Sequence, residues 1–201
     1  MLPPVNRNVQ RGHATREHLL AIATRLFAER GYEQTSIEAV LHEAGISRGA
    51  LYHHFASKEA LFDAVLQEIE LRVGREVQAA ARVGREPFER LRLGCQAWLR
   101  LASDPVVQRV LLLDALAVLG WQRWRDMDER YAMGMIRAAV RDCAAPARIP
   151  PDLVEMFAHV LFAALDELAL LIARAANTAP ATRLAERAVD ELIRRLLKPA
   201  S

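Results

Sequence analysis

The stretch TSIEAVLHEAGISRGALYHHFASKEALFDAV, residues 35–65, decides the fold of this chain. Within it, two short segments with a helical spacing of apolar residues are separated by the sequence AGIS. Gly45 permits a tight turn between two helices, and Ile46 supplies an apolar side chain that can fill the space between them. We therefore predict a helix-turn-helix, whose second helix can enter the major groove of DNA with its N-terminus first.

Hydroxyl side chains mark the starts of three helices in this stretch. Thr35 and Glu38 match a capping box, in which the first side chain accepts from a backbone N–H and the second reaches back. Ser47 precedes the second helix, and Ser57 precedes a longer helix that is expected to end near Gly74. The pattern of caps predicts three consecutive helices.

Helical patterns continue on both sides of this stretch. Ala, Leu, Arg and Glu dominate the 201 residues, whereas β-branched and aromatic residues are sparse, which favours an all-α protein. Two further capping patterns occur, with Asp104 before Pro105 and with Asp152 paired with Glu155. Glycines and prolines divide the chain into about nine predicted helices, over residues 15–30, 35–44, 48–55, 58–74, 87–102, 105–119, 121–144, 152–176 and 180–198.

The chain begins with a basic segment. Arg7, Arg11 and Arg16 occur there without any acid, although a net charge of +2 is too small to indicate a nucleic-acid partner by itself. We expect residues 1–14 to form a flexible leader, either a solvated tail or a segment that is attracted to phosphate.

Cysteine usage and hydropathy favour a cytoplasmic protein. Cys95 and Cys143 lie far apart and lack CxxC spacing, so neither a disulfide scaffold nor a zinc site is expected. No apolar signal-peptide core is evident near the N-terminus. Residues 153–177 are the most apolar segment, and it is interrupted by Glu155, His159, Asp166 and Glu167. We predict a buried helix of a soluble protein and not a membrane span.

The start of the second helix of the motif has the composition of a base-reading element. Ser47, Gly49 and Ala50 are small enough to let the backbone approach DNA, and Arg48 can donate two hydrogen bonds to a guanine edge. Tyr52 and His53 follow one turn later, at a spacing suited to backbone phosphates. Lys58 starts the next helix, where its ammonium joins the positive end of the helix dipole.

Residues 15–66, and above all the run LYHHFASKEAL, resemble the DNA-binding domain of the tetracycline-repressor (TetR/AcrR) family of bacterial regulators. The resemblance implies phosphate contacts by Thr35, Ser36, Tyr52, His53 and Lys58. It implies base reading by Arg48 and Gly49, next to the capping residue Ser47. At His54 and Phe55 it implies side chains that pack inward.

The same resemblance implies an organisation and a function. A helix-turn-helix domain over residues 15–60 is expected to join a ligand-sensing and dimerisation domain over residues 61–201. We expect a homodimeric transcriptional repressor that leaves a palindromic DNA operator when a small, mostly apolar inducer binds. No enzymatic activity, cofactor, metal ion or membrane partner is expected.

Simpler roles compete for several of these residues. Thr35, Ser47 and Ser57 can serve as helix caps only, and Tyr52 can belong partly to the core. Arg48 and Lys58 have no evident partner within their own helices. His53 and His54 are adjacent and point about 100° apart on a helix, so the two side chains cannot readily chelate one metal ion.

The last two predicted helices are the candidates for dimerisation. The helix over residues 152–176 is apolar nearly all round, so it requires burial on all sides, either within its own domain or against a second copy. The helix over residues 180–198 carries an apolar stripe with its arginines largely off it. The candidate interface residues are Phe157, Leu161, Leu168, Leu184, Ala188 and Leu192.

Aromatic and polar residues of the C-terminal part suggest a ligand cavity, although the same residues can be ordinary core. The candidate ligand-binding residues are Trp98, Trp121, Trp124, Tyr131, Phe157, His159, Phe162 and Asp166. Three polar residues in apolar surroundings, Asp114, His159 and Asp166, require partners. These partners can be arginines such as Arg109, Arg123 or Arg137, a second subunit, or a ligand.

Two other functions compete with the regulator hypothesis. A hydrolase could use His53, His54, His159 or Asp166, but GxSxG, HExxH, P-loop and dinucleotide-binding patterns are all missing from the sequence. An architectural DNA-binding protein without a ligand would instead have a filled core.

Overall fold

The computed structural model describes residues 7–144 and 149–197, which contain helices and turns and no strand. The predicted all-α class is confirmed. Short π-helical segments at Val107–Asp114 and Glu129–Met133 and a 3-10 turn at Pro151–Leu153 supplement the α-helices. The α-helices are α1 (Arg7–Gln34), α2 (Ile37–Ala44), α3 (Arg48–His54), α4 (Lys58–Ala81), α5 (Pro87–Leu101), α6 (Ala115–Asp128), α7 (Gly134–Ala144), α8 (Val154–Arg174) and α9 (Thr178–Leu197).

The first helix is longer than its sequence pattern indicates. It begins at Arg7, whereas the apolar stripe predicted a start at Thr15. The helix thus takes in residues 7–14 of the expected leader, and residues 1–6 lie outside the described part of the chain. The predicted end is accurate, because Gly31 leaves the helical region with φ 79° and ψ 169°, a conformation that favours glycine.

The helix-turn-helix forms as the sequence predicts. Gly45 adopts the left-handed conformation, with φ 64° and ψ 29°, and its N–H donates to the carbonyl of Leu41. The Ser47 hydroxyl accepts from the N–H of Ala50 at 3.2 Å and caps α3. Ser57 likewise caps α4. Local chemistry therefore fixes the starts of α3 and α4.

The predicted capping box of α2 is wrong by one residue. Ser36 is the N-cap, and its hydroxyl accepts from the N–H of Ala39 at 3.1 Å. Thr35 is fully buried instead, and its hydroxyl lies 2.8 Å from the carbonyl of Gly31 and 3.1 Å from that of Leu26. The single proton of the Thr35 hydroxyl can be donated to the nearer carbonyl, that of Gly31, because tertiary packing draws the side chain inward.

An aromatic cluster closes the core of the first unit. The rings of Phe27, Tyr32 and Phe62 lie within 6 Å of one another, with centroid distances of 5.9, 5.2 and 5.1 Å. The predicted stripe of α1 packs there and is buried apart from the half-buried Ile22. Phe55 is buried as expected, with Arg16 over its ring at 5.4 Å.

The fourth helix passes the predicted end at Gly74 and continues to Ala81. A glycine inside a helix costs only about 1 kcal/mol relative to alanine, so packing readily overrides it. The chain divides into two compact units within α4, after Glu68, and not at the predicted boundary after residue 60.

The second unit is a bundle in which α5, α7, α8 and α9 share one core. Leu99, Ile172 and Ile193 are fully buried in it. Asp104 caps the following helical segment as predicted, since its carboxylate accepts from the N–H groups of Val106 and Val107. The predicted capping box of Asp152 and Glu155 is wrong, because α8 begins from a 3-10 turn without a side-chain cap.

Gly120 interrupts the helical segment after α5. Its φ of 74° and ψ of 165° break α6, which agrees with the predicted boundary between residues 119 and 121. The predicted helix over residues 121–144 is not uniform, because the π-helical turn Glu129–Met133 separates α6 from α7. Such π-helical turns are rare and often occur at functional sites.

Candidate nucleic-acid interface and ligand cavity

The first residues of α3 form an exposed surface on the N-terminal unit. Ser47, Arg48, Gly49 and His53 are exposed, and 43% of the Tyr52 side chain is accessible. Ser36 is exposed at the start of α2, and Lys58 is half-buried at the start of α4. The helix-turn-helix brings these predicted contact residues together. Thr35 is the exception, because its side chain is fully buried and does not belong to this surface.

Both candidate cations have partners on neighbouring helices. The guanidinium of Arg48 donates to the carboxylate of Glu38 on α2. The ammonium of Lys58 lies 4.0 Å from the ring centroid of Tyr32, a cation–π contact that holds it at the surface. Since both pairs join residues far apart in sequence, inspection of single helices did not reveal them.

The two histidines of α3 have different environments. His53 is exposed and His54 is half-buried, with their ring centroids 5.2 Å apart. Burial lowers the pKa of His54, and the positive charges of His53 and Arg16 lower it further. Throughout residues 7–144 and 149–197, no group of three or more His, Cys, Asp or Glu side chains is placed to hold a metal ion.

The second unit encloses a cavity of about 820 Å³. Its wall includes segments of α4, α5, α6, α7 and α8, together with parts of both π-helical segments. All three tryptophans of the chain belong to this wall. The predicted ligand-binding residues that line the cavity are Trp98, Trp121, Trp124, Tyr131, Phe162 and Asp166.

Two of the predicted ligand residues do not line this cavity. Phe157 packs against the core of the bundle. The Nε2 atom of His159 lies 3.3 Å from Glu155, which also accepts from Arg137 at 2.8 Å. The hydrogen bond from Arg137 lowers the pKa of Glu155. His159 and Asp166 share one face of α8, but the cavity reaches only the part of that face that carries Asp166.

Asp166 is an acidic residue of the wall for which the described residues provide no direct partner. Among the described residues, its carboxyl accepts no hydrogen bond and forms no ion pair. Burial raises the pKa of Asp166 to about 7, and the positive charge of Arg125 opposes this only in part. Asp114, by contrast, pairs with Arg109 at 3.2 Å, as predicted.

Several residues of the wall were not predicted from the sequence. Val77 comes from the last turns of α4, beyond the helix end expected at Gly74, and Val73 lies just before that glycine. Ionisable residues also occur in the wall, namely Glu70, Arg90, Arg174 and Cys95. Burial raises the pKa of the Cys95 thiol to about 12, so it remains a neutral, weakly reactive lining group.

An apolar face on α8 and α9 is exposed to solvent. Most of the predicted interface residues do not belong to it, because Leu161 is buried and Phe157, Leu168 and Leu192 pack partly against their own core. The buried stripe of α9 instead contains Ala185, Val189, Ile193 and Leu197. The exposed apolar face consists of Met156, Val160, Ala163 and Leu171 on α8 and Leu184 and Ala188 on α9.

The helix over Pro151–Arg174 is long and apolar enough to cross a membrane by length and composition alone. Its buried side includes Ala158, Leu165 and Ile172, which pack in the bundle core. One such helix is typical of the core of a helical protein and is weak evidence for a membrane span.

The fold and the exposed recognition helix together define a helix-turn-helix regulatory protein with an all-helical second domain. A family profile described as "Bacterial regulatory proteins, tetR family" matches residues 19–65. A second, described as "Tetracyclin repressor-like, C-terminal domain", matches residues 88–196, more than half of the chain. The chain therefore belongs to the TetR family of bacterial transcriptional regulators, whose members are regulators and not enzymes.

Individual relatives agree with this assignment. A TetR-family transcriptional regulator from Pectobacterium atrosepticum has a similar crystal structure, with a TM-score of 0.81, 31% identity, and coverage of 95% of this chain and 98% of that one. The HTH-type transcriptional regulator AcrR of Shigella flexneri is 36% identical over 41% of this chain and 39% of its own length. The HTH-type transcriptional repressor KstR2 of Rhodococcus jostii is 43% identical over 33% of each chain. The chain thus matches less than half the length of these two curated relatives.

Proposed function

We propose that this protein is a homodimeric DNA-binding repressor, which leaves a palindromic operator when a small, mostly apolar ligand enters the cavity. The observation that carries the proposal is the exposed start of α3 within a helix-turn-helix of the TetR family. Arg48 is long enough to read a guanine edge, and the neighbouring Gly49 lets the backbone approach the bases. The relative KstR2 is a transcriptional repressor, which favours repression over activation for this protein.

Residues around the start of α3 supply the proposed phosphate contacts. Ser36, Tyr52 and His53 present hydroxyl and imidazole groups at the surface of the N-terminal unit. Lys58 adds a positive charge at the start of α4, where exposed N–H groups also favour an anion. Contacts of this kind set the position of the protein on DNA, whereas Arg48 supplies sequence discrimination.

A gel shift with the DNA immediately upstream of the gene tests this assignment. Arg48→Ala is expected to lose the preference for specific over random DNA. Lys58→Ala is expected to weaken binding to all sequences and to make the salt dependence shallower by about one in slope. Arg82→Ala is the matched control, because Arg82 is an exposed arginine outside the helix-turn-helix. Failure to bind that DNA or any sequence selected from a random library, at moderate salt, would overturn the proposal.

The exposed apolar face of α8 and α9 supports the proposed homodimer. Met156, Val160 and Leu184 are each more than half exposed, although large apolar side chains favour burial. A two-fold axis beside α8 would place equivalent side chains of two copies against one another. Such a dimer would present two recognition helices to successive major grooves, as a palindrome requires.

A charge placed in this face is expected to separate the subunits. Val160→Glu should convert the dimer to a monomer in sedimentation velocity, because association would bury an unpaired carboxylate. Gln122→Glu is the control, since it adds the same charge at an exposed position of α6. A Val160→Glu variant that dimerises as tightly as the wild type would rule out this face as the interface.

The proposed release by ligand depends on α4. This helix begins at Lys58 and contributes Val73, Gly74 and Val77 to the cavity wall. A ligand that moves these lining residues acts on the same continuous helix that carries the proposed phosphate contact. Operator and ligand would then bind antagonistically, as reciprocal linkage requires. The cavity also speaks against a purely architectural DNA-binding role, which requires no such space.

A further inference from the structure

We propose that the cavity selects ligands that carry a protonated aliphatic amine on an apolar body, with Asp166 as the partner of the amine. This inference rests on the proposed ligand-binding role of the cavity and specifies the chemical class of the ligand. It begins from the position of Asp166 on α8, in a wall made mainly of apolar and aromatic side chains.

No described neighbour of Asp166 forms an ion pair with its carboxylate. No described residue donates a hydrogen bond to its carboxyl, and Arg125 acts on it only at a distance. Arg125 is instead exposed and lies over the ring of Trp121, at 5.5 Å from the centroid. A ligand that brings its own cation therefore completes an interaction that the protein leaves open.

The aromatic wall favours the same ligand class. The faces of tryptophan rings attract cations, and Trp98 and Trp124 line the cavity together with Asp166. Trp124 is held by its neighbour Trp121, with 5.5 Å between the ring centroids. Most of the remaining wall is apolar and suits a hydrocarbon body.

The other charged groups of the wall differ in their partners. Arg90 donates to the backbone carbonyl of Arg85 at 3.1 Å, whereas the exposed Arg174 is a cation that could instead receive an acidic ligand. Glu70 is buried and already interacts with other groups of the protein. The titratable groups to be considered in any pH dependence are thus Asp166, Glu70, Arg90, Arg125, Tyr131, Cys95 and Arg174.

Proton linkage distinguishes an amine from a neutral ligand. Because burial disfavours the carboxylate of Asp166, a bound cation restores its charge and displaces a proton. The affinity for an amine should therefore increase as the pH rises through about 7. A ligand that accepts a hydrogen bond from the protonated acid would show the opposite dependence.

Three matched probes test the inference with the full-length protein: diphenylbutylamine, diphenylbutanol and diphenylbutanoic acid. The cavity-lining tryptophans report binding through their fluorescence. The amine is expected to bind roughly tenfold or more tightly than the alcohol, and the acid weakly or not at all. Asp166→Asn should abolish the preference for the amine and its pH dependence while it retains binding of the alcohol. Asp126→Asn, at an exposed position of α6 outside the wall, should behave as the wild type.

The outcomes separate this inference from the proposed function. An amine that binds no better than the alcohol, or equally well to Asp166→Asn, overturns the inference and leaves the DNA gel shift unaffected. Tighter binding of the acid overturns it in favour of recognition by Arg90 or Arg174. If the amine binds as expected but does not release DNA, the ligand class stands and the proposed induction fails.

Discussion

The partly buried carboxyl of Asp166 makes the stability of the second unit depend on pH in a predictable direction. Its pKa rises from the ordinary value of 3.8 to about 7 in the folded protein. Between these values the folded state binds more protons than the unfolded chain, so the free energy of unfolding falls as the pH rises. The stability that the folded protein gains from keeping Asp166 protonated is fully present below pH 3.8. It declines as the pH rises and is lost above about pH 7.

The magnitude follows from the width of this interval. Each pH unit between the two pKa values corresponds to about 1.4 kcal/mol, so the full interval amounts to about 4 kcal/mol. This is an upper figure, because water that enters the cavity reduces the cost of the charge. Asp166→Asn does not titrate and avoids this loss. The variant should therefore gain stability relative to the wild type as the pH rises.

Urea unfolding followed by tryptophan fluorescence measures this difference in the second unit, where all three tryptophans lie. The quantity to plot is the free energy of unfolding of Asp166→Asn minus that of the wild type, at equal protein concentration and several pH values. Asp126→Asn should give a difference that is nearly independent of pH, since Asp126 is exposed. A flat difference for Asp166→Asn between pH 3.8 and about 7 would refute the reasoning, because it would mean an ordinary carboxyl.

Three further predictions concern the fold and the proposed DNA-contacting start of α3. Thr35→Val should lower the free energy of unfolding by about 1–3 kcal/mol in urea, since a buried carbonyl loses its hydroxyl donor; unchanged stability would contradict that role. Gly120→Ala should cost about 1–3 kcal/mol because of its positive φ, whereas helical Gly134→Ala should be neutral or slightly stabilising; equal thermal shifts would disprove the strain. Glu38→Gln, which weakens the hold on Arg48 and removes a negative charge near the phosphates, should increase DNA affinity in a low-salt gel shift, and an unchanged affinity would argue against this competition.

The helix-turn-helix was predictable because its determinants are local. Gly45 and the caps Ser47 and Ser57 act within one helical turn, so their positions in the sequence suffice to place α3 and the start of α4. Thr35 shows the limit of this reasoning. Its hydroxyl fits a cap equally well in the sequence, and only the packing of α1 against α2 assigns it to the interior.

The cavity was predictable in composition but not in outline. Aromatic residues and Asp166 stood out because they are unusual in their helices, and six of the eight candidates line the wall. Phe157 and His159 lie outside the wall, since helical spacing defines a face and not which part of it a neighbouring helix covers. The last turns of α4 were missed because Gly74 resembles a helix end.

The sequence by itself determined the all-α class, the helix-turn-helix and the family, because these depend on caps, turns and apolar periodicity along a short stretch. Only the tertiary structure decided which apolar stripe of α9 is buried, where the cavity lies, and that Arg48 pairs with Glu38. Each of those outcomes depends on residues distant in sequence, whose approach is set by how whole helices pack. The charge of Asp166 belongs to this second group, since its pKa depends on the walls around it and not on its neighbours in the chain.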